Sequence, residues 1–159
     1  MRLRRYARDD FPAFAKLFGD AEVMRYVGDG AALDDAGARR LFERVFELYA
    51  TDPAFYVWAI DDGGGYAGHA ELKRRAGRSE YELIYFLARD RWGRGLGGEV
   101  VDALLAFARE QQLPFVIATV DDANGASRRI LERRGFLPDA ALAESLDGPA
   151  YRLELEPRR

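Results

Sequence analysis

Apolar residues recur at helical spacing in two segments near the start of the chain. In the first, Asp9-Asp10 precede an apolar pattern with Pro12 just inside it, and Gly19 ends the pattern. Acidic residues and proline are typical of a helix start. In the second, Asp34-Asp35 come before a stripe formed by Leu41, Phe42, Val45, Phe46 and Tyr49. Both segments predict amphipathic helices that pack on a core through one face.

The pattern changes to strands between residues 55 and 88. Residues 55–60 and 66–73 are β-rich runs on either side of an Asp- and Gly-rich turn, which predicts a hairpin. Residues 81–88 are apolar on both faces, with Tyr81, Leu83, Tyr85 and Leu87 on one face and Ile84 and Phe86 on the other. A strand of this kind is expected in the centre of a sheet that is covered on both sides.

The second half of the chain alternates strand and helix. Residues 99–111 predict a helix, 114–120 a buried strand and 124–134 a helix ended by Gly135, while Leu153 and Leu155 mark a last strand. The segment 81–120 is therefore a βαβ unit with parallel strands. We predict an α/β fold with a mixed, mostly antiparallel central sheet, helices on both faces and one parallel βαβ crossover.

Composition narrows the possible functions. The chain has 159 residues, which favours one domain over residues 1–159. Its net charge of -3 argues against a nucleic-acid partner. It has no cysteine, so a disulfide, a thiolate metal site and a cysteine acyl-enzyme are excluded. We also expect no metal. Because no apolar run approaches the length of a membrane span, we expect no membrane contact and a cytoplasmic location.

A glycine-rich turn separates the third predicted strand from the next helix, and reads Trp92-Gly93-Arg94-Gly95-Leu96-Gly97-Gly98. Backbone amides at a helix start lack intrahelical partners and bind anions, assisted by the helix dipole. Glycine lets a phosphate approach that backbone. The turn therefore predicts a phosphate or pyrophosphate site, and the structural alternative is a flexible surface loop.

The same turn satisfies the dinucleotide motif G-x-G-x-x-G through Gly93, Gly95 and Gly98, and Asp121 follows the next strand. Three observations count against a dinucleotide fold. The turn lies late in the chain, only one βαβ unit is present, and the remaining chain is too short for a second half.

The turn resembles the signature of the GNAT acetyltransferases, Q/R-x-x-G-x-G/A, with Trp92 in the first position and Gly95 and Gly97 as its glycines. Tryptophan in that position is similar to the branch that acetylates ribosomal-protein N-termini. Four other parts of the chain resemble that branch in the same order, so that the resemblance covers nearly the whole chain: residues 3–5 and 9–10 with 20–27, residues 66–69, residues 82–87, and residues 124–127 with 131–136.

The resemblance implies acetyl-CoA as co-substrate and a primary amine, on a protein N-terminus or a small molecule, as acceptor. The pantetheine arm would pair with the backbone of Phe86, Leu87 and Ala88, and Asn124 would hydrogen-bond it. The pyrophosphate would lie on the turn formed by Trp92, Gly93, Arg94, Gly95, Leu96, Gly97 and Gly98. The sequence does not decide between a monomer and a homodimer.

Two residues are candidates for the chemistry. Glu82 shares a strand face with Ile84 and Phe86 and is the candidate base, because burial raises the pKa of a carboxyl group; its structural alternative is a carboxylate paired with an arginine such as Arg78. Ser127 lies three residues after Asn124, on one helix face, and is the candidate for stabilising the leaving thiolate. Its alternative is a small packing residue.

Position 131 departs from the family pattern, since many GNAT enzymes carry a tyrosine where this chain has Leu131. His69 and Glu71 share a strand face and are expected to be structural. The acids Asp29, Asp34, Asp35, Glu43 and Glu47 could attract a cationic acceptor, or belong to an ordinary amphipathic helix. The arginines at 128, 129, 133 and 134 are expected to form a solvated face or to meet the 3′-phosphate of CoA. Besides the dinucleotide alternative, a non-catalytic acyl-CoA-binding domain stays open.

Overall fold

The computed structural model describes residues 1–155, and three helices follow its first short strand. Asp20 accepts hydrogen bonds from the amides of Glu22 and Val23, and Asp34 accepts one at 2.7 Å from Gly37, so that aspartates begin two of these helices. The elements of this half are β1 (Arg2–Arg4), α1 (Phe11–Phe18), α2 (Ala21–Met24) and α3 (Asp35–Thr51). The two long helices confirm the apolar patterns, whereas α2 is too short to show a periodicity.

A seven-stranded sheet forms the centre of the fold, in the order β1-β2-β3-β4-β5-β7-β6. Among the described residues its one parallel pair is β4–β5, and α4 makes the crossover between them. This arrangement confirms the predicted fold class. The remaining elements are β2 (Tyr56–Asp61), β3 (Tyr66–Arg74), β4 (Tyr81–Leu87), α4 (Leu96–Glu110), β5 (Phe115–Thr119), α5 (Gly125–Glu132), β6 (Leu137–Pro138), α6 (Ala140–Leu146) and β7 (Ala150–Glu154). Within residues 1–155 no helix is both long and apolar enough to cross a bilayer.

Helix α4 begins at Leu96, three residues before the predicted start at Glu99. Gly95 adopts a left-handed φ of +77° and supplies the turn into the helix. Gly97 lies inside the first helical turn, where a Cβ would be 3.0 Å from Ile130 Cδ1 and 3.4 Å from a ring carbon of Tyr85. Its glycine is therefore a packing requirement between α4, α5 and β4, although the sequence suggested a residue of the loop.

The sheet has a separate core on each face. Register pairs Leu72 with Leu83 on the α4 face, where Leu104 and other apolar side chains of α4 are fully buried. On the opposite face His69 pairs with Phe86 beneath the aromatic side chains of α1 and α3. Burial of one such large apolar side chain contributes about 1.5–3 kcal/mol. Strand β4 is therefore covered on both sides, as its apolar pattern predicted.

Strands β4 and β5 separate almost as soon as they meet. Their parallel register consists of the single pair Glu82 and Ile117, whereas β3 pairs with β4 over its whole length. Close contact on the β3 side is allowed by Gly68, where a Cβ would be 2.3 Å from the carbonyl oxygen of Phe86. The later part of β4 therefore has a strand neighbour on one edge and an open gap on the other.

Candidate active site

A cleft of about 730 Å³ lies beside that gap. The end of β4, the glycine-rich turn, the beginning of α5 and the segment around α2 form its walls. Its volume is within the range of small-molecule and cofactor sites, about 300–1,000 Å³. The cleft therefore joins segments that are far apart in sequence at the end of the one parallel strand pair.

The glycine-rich turn forms one end of the cleft. Gly93 and Gly95 have φ values of +72° and +77°, and no atom lies within 4 Å of a Cβ built on either. The first amides of a helix have no intrahelical partner, so those of Leu96 and Gly97 are open to an anion. Gly98 does not fit this part of the prediction, since its N–H donates to the carbonyl of Gly95 at 3.1 Å. All residues of the turn except Arg94 line the cleft.

The exposed edge of β4 belongs to Leu87. The N–H of Ala88 donates to the carbonyl of Ala67 in β3 at 2.9 Å, and the carbonyl of Phe86 also lies against β3. Because backbone groups of successive strand residues point to opposite edges, those of Tyr85 and Leu87 face the gap. The predicted pairing of the arm with Phe86 and Ala88 is therefore wrong for the N–H of Ala88 and the carbonyl of Phe86.

Trp92 is fixed to this edge through its indole. Its Nε1 donates a hydrogen bond to the carbonyl oxygen of Leu87 at 2.9 Å, while 47% of the residue surface stays exposed. The bond connects the turn to the end of β4 and uses the Leu87 carbonyl. The N–H of Leu87 stays directed at the gap.

The start of α5 forms the opposite wall. Asn124 precedes the helix, and its side-chain oxygen accepts a hydrogen bond from the N–H of Ser127 at 3.2 Å. Asn124 is therefore a helix cap first, with its side-chain NH₂ group left for a ligand. Ser127 lies within the cleft, and the hydroxyl of Tyr85 donates to its Oγ at 3.4 Å. Leu131 is fully buried in the core and does not line the cleft.

Glu82 lies outside the cleft lining, although it is close to the point where β4 and β5 separate. The residue is 7% exposed, and its two carboxylate oxygens accept hydrogen bonds from Arg75 and from the hydroxyl of Thr119 in β5. The arginine suggested from the sequence, Arg78, pairs with Glu80 instead. Glu82 thus connects the turn after β3 to β5, at the single register pair between β4 and β5.

His69 belongs to a buried chain of hydrogen bonds on the face opposite α4. Its Nδ1 lies 2.6 Å from the hydroxyl of Tyr6, and its Nε2 lies 2.7 Å from the carboxylate of Glu71. A bond of 3.0 Å continues the chain from Tyr6 to Tyr66. Burial acts to raise the pKa of Glu71, but the hydrogen bond and charge of His69 outweigh it and lower that pKa. These contacts account for both residues as structural.

Positive charge dominates the cleft walls. Three of the four arginines near the end of α5 face the cleft, while Arg128 pairs with Glu132. Arg134 is held in place by two bonds of 2.7 Å to Asp102. The lining contains one acidic residue, Glu22, against five arginines, of which Arg91 and Arg134 are paired with Asp62 and Asp102 outside the lining; the others are Arg25, Arg129 and Arg133. Low-dielectric walls with one sign of charge concentrate the opposite charge, so the cleft suits a polyanionic ligand.

Four of the five acidic residues between 29 and 47 have partners elsewhere. Asp29 and Asp34 accept hydrogen bonds from backbone amides of their own turns, and Glu43 and Glu47 pair with Arg8 and Arg44. None of these four acids, nor Asp35, lines the cleft. The structure therefore favours the amphipathic-helix interpretation over a cationic acceptor site.

Comparison with known proteins assigns this fold and cleft to an acetyl-CoA-dependent acetyltransferase. The family model described as the acetyltransferase (GNAT) domain matches residues 1–137, and the chain belongs to this family. The dinucleotide alternative is therefore set aside, in agreement with a sheet in which the one parallel pair described is β4–β5.

The chain is also similar to individual proteins. An L-methionine sulfoximine/L-methionine sulfone acetyltransferase of Pseudomonas aeruginosa is 30% identical over 80% of this chain and 74% of its own. An acetyltransferase structure from Agrobacterium tumefaciens superposes with a TM-score of 0.77 at 25% identity, over 96% of this chain and 90% of the other. The fold is also that of RimL, a ribosomal L7/L12 α-N-protein acetyltransferase in complex with coenzyme A, with a TM-score of 0.78 at 17% identity over 96% and 93% of the two chains.

Two site features escaped the sequence reasoning. The sequence places Tyr85 on an apolar face of its strand, and only the fold brings its hydroxyl to Ser127. Arg75 was not considered as a partner of Glu82, although a hairpin between β3 and β4 places residues on either side of the turn opposite each other. Because Arg75 and Glu82 lie on opposite sides of the same turn, the register of the hairpin could have predicted their contact.

Proposed function

We propose that this protein transfers the acetyl group of acetyl-CoA to the primary amine of an acceptor, by direct attack within a ternary complex. The observation that carries the proposal is the cleft, in which an open β4 edge, unpaired amides of a glycine turn and five arginines meet. An extended polyanionic thioester fits all three: its arm would lie along Leu87, and its phosphates would lie on the turn.

The acceptor we propose is an α-amine, on a protein N-terminus or on an amino-acid-like small molecule. An amine must be neutral to attack the thioester, which costs an α-amine about 1–1.4 kcal/mol at pH 7 and a lysine about 4.6 kcal/mol. Two of the three similar proteins, the L-methionine sulfoximine/L-methionine sulfone acetyltransferase and the ribosomal L7/L12 α-N-protein acetyltransferase, are named for acceptors that carry an α-amine. A general base that contributes only weakly is therefore sufficient for this acceptor class.

Glu82 and Ser127 are the proposed catalytic residues. A carboxylate has about four lone-pair directions, and Arg75 and Thr119 use two of those of Glu82. Because Glu82 lies outside the cleft lining, it would receive the proton of the amine through a water molecule. Ser127 lies in the cleft and would donate a hydrogen bond to the departing sulfur. Oxyanion stabilisation would come from a backbone N–H at the gap edge of β4.

The first test is thermal stabilisation of the purified protein by acetyl-CoA, CoA and NAD. A ligand at 100 times its Kd adds about 2.7 kcal/mol, which raises Tm by about 5–11 °C for a chain of this size. We expect this shift with acetyl-CoA and CoA and none with NAD. A shift with NAD alone would contradict the proposal.

Acceptors are then compared by thiol release. The panel contains a lysine-bearing peptide with a free N-terminus, the same peptide acetylated at its N-terminus so that only the lysine amine is left, and L-methionine sulfone. We expect α-amines to react and the lysine not to react. Binding of acetyl-CoA without turnover of any primary amine would favour the acyl-CoA-binding alternative. Glu82→Gln should lower kcat, and Thr119→Val is its control, because it removes the hydrogen bond and keeps the carboxylate.

A further inference from the structure

The sulfur of CoA leaves as a thiolate and is stabilised by a hydrogen-bond donor in the cleft, where Leu131, buried in the core, provides none. We propose that Tyr85 is the positioning residue for this step, and that it orients the Ser127 hydroxyl toward the sulfur of CoA. The inference rests on the proposed function and assigns Tyr85 a role within the same cleft.

The geometry brings the two hydroxyls together from distant segments. Tyr85 is on the α4 face of β4 and Ser127 is in the first turn of α5, yet the Tyr85 hydroxyl donates to Ser127 Oγ at 3.4 Å. Both residues line the cleft. Gly97 makes room for the contact, because a Cβ there would press on both the Tyr85 ring and Ile130. Catalytic hydrogen bonds are often long without ligand and shorten in the substrate complex.

The direction of the bond decides what Ser127 can do. A hydroxyl has one hydrogen to donate and two lone pairs. Tyr85 fills one lone pair, and the hydrogen of Ser127 stays free to point into the cleft. The N–H of Ser127 is bound to Asn124, which fixes the turn that carries it. Burial raises the pKa of Tyr85, so its phenol keeps the hydrogen that it donates.

The reaction step needs no proton from Tyr85. The amine nitrogen forms its bond to the carbonyl carbon, the C–S bond breaks, and the electron pair leaves with sulfur as a thiolate. A CoA-like thiol has a pKa of about 8.5, so a hydrogen bond from Ser127 is sufficient to stabilise it. The proton of the amine leaves separately through Glu82 or water.

The test is a titration of the thiol of bound CoA, followed by the ultraviolet absorbance of its thiolate. The binary complex of the full chain is used, so that no acceptor is required. We expect Tyr85→Phe and Ser127→Ala each to raise the thiol pKa by about one unit, a tenfold change in the ionisation constant. The double variant should show no further increase, because the two hydroxyls act as one unit.

Tyr81→Phe is the matched control. Tyr81 lies on the same strand face and packs near Tyr56, outside the cleft. It should leave the thiol pKa unchanged. In steady-state assays Tyr85→Phe should lower kcat by about tenfold with KM for acetyl-CoA unchanged. A Tyr85→Phe complex with the wild-type thiol pKa, beside a raised value in Ser127→Ala, would overturn the inference. Failure of the wild-type protein to bind CoA would instead reject the proposed function, and the inference with it.

Discussion

Replacing Gly95 by alanine separates the backbone requirement of the turn from its ligand requirement. Gly95 has φ +77° directly before α4, and a Cβ there meets no atom within 4 Å. An alanine in this left-handed conformation costs about 1–2 kcal/mol. With an unfolding entropy of about 2.1 cal/mol/K per residue, Tm should fall by about 3–6 °C. The added methyl group also stands in the cleft, where a phosphate would approach the amides.

Gly77→Ala is the control for this prediction. Gly77 has φ +71° and equally open space around its Cβ, and it lies in the turn between β3 and β4, outside the cleft. Tm should decrease by the same amount in both variants. Calorimetric titration with CoA should show at least about a tenfold increase in Kd for Gly95→Ala only, which corresponds to about 1.4 kcal/mol. Equal CoA affinity of the two variants would refute the assignment of the turn as the phosphate site.

Three further predictions concern the core and its hydrogen bonds. Glu71→Gln should lower Tm at neutral pH; because the folded pKa of Glu71 lies below its ordinary value of 4.5, the difference from wild type should persist above about pH 5 and shrink as pH falls below about 4.5, and a pH-independent difference would contradict this. Gly68→Ala should destabilise the protein by at least about 1–3 kcal/mol in urea unfolding, because its methyl group would overlap the Phe86 carbonyl; an unchanged midpoint would be the contrary result. Tyr49→Phe removes a hydroxyl that donates to the Val57 carbonyl at 2.7 Å and accepts from the N–H of Tyr6 at 3.2 Å, so we expect a loss of about 1–3 kcal/mol in the same assay. A loss below about 0.5 kcal/mol would show that water replaces the hydroxyl.

The main elements of the fold could be predicted because their local patterns agree with the final packing. The apolar stripe of α3 and the two apolar faces of β4 indicate both the type of element and its burial. Element boundaries were less accurate where glycine was involved: Gly97 and Gly98 resemble a loop in sequence but lie in the first turn of α4. Gly97 is glycine there because Ile130 and Tyr85 leave no room for a Cβ. Helix α6 was missed since its seven residues carry few large apolar side chains.

The site was predicted less completely than the fold. The glycine turn and Ser127 are part of local motifs, so their place in one cofactor site followed from the family resemblance that those motifs carry. Contacts between distant segments do not: Tyr85 and Ser127 are 42 residues apart, and no local pattern indicates that their hydroxyls meet. Glu82 shows the same limit, because its exclusion from the cleft depends on where β5 separates from β4.

The single register pair between β4 and β5 has a mechanical consequence. The sheet consists of two ribbons, β1 to β4 and β5 to β6, whose strand-to-strand pairing depends on Glu82 and Ile117 and on the nearby contact between Glu82 and Thr119. A ligand arm lying along Leu87 would extend that short connection over the rest of the gap. The connection between the two ribbons would then be more rigid with the ligand bound than without it. Amide hydrogen exchange at β5 would report whether the gap is filled.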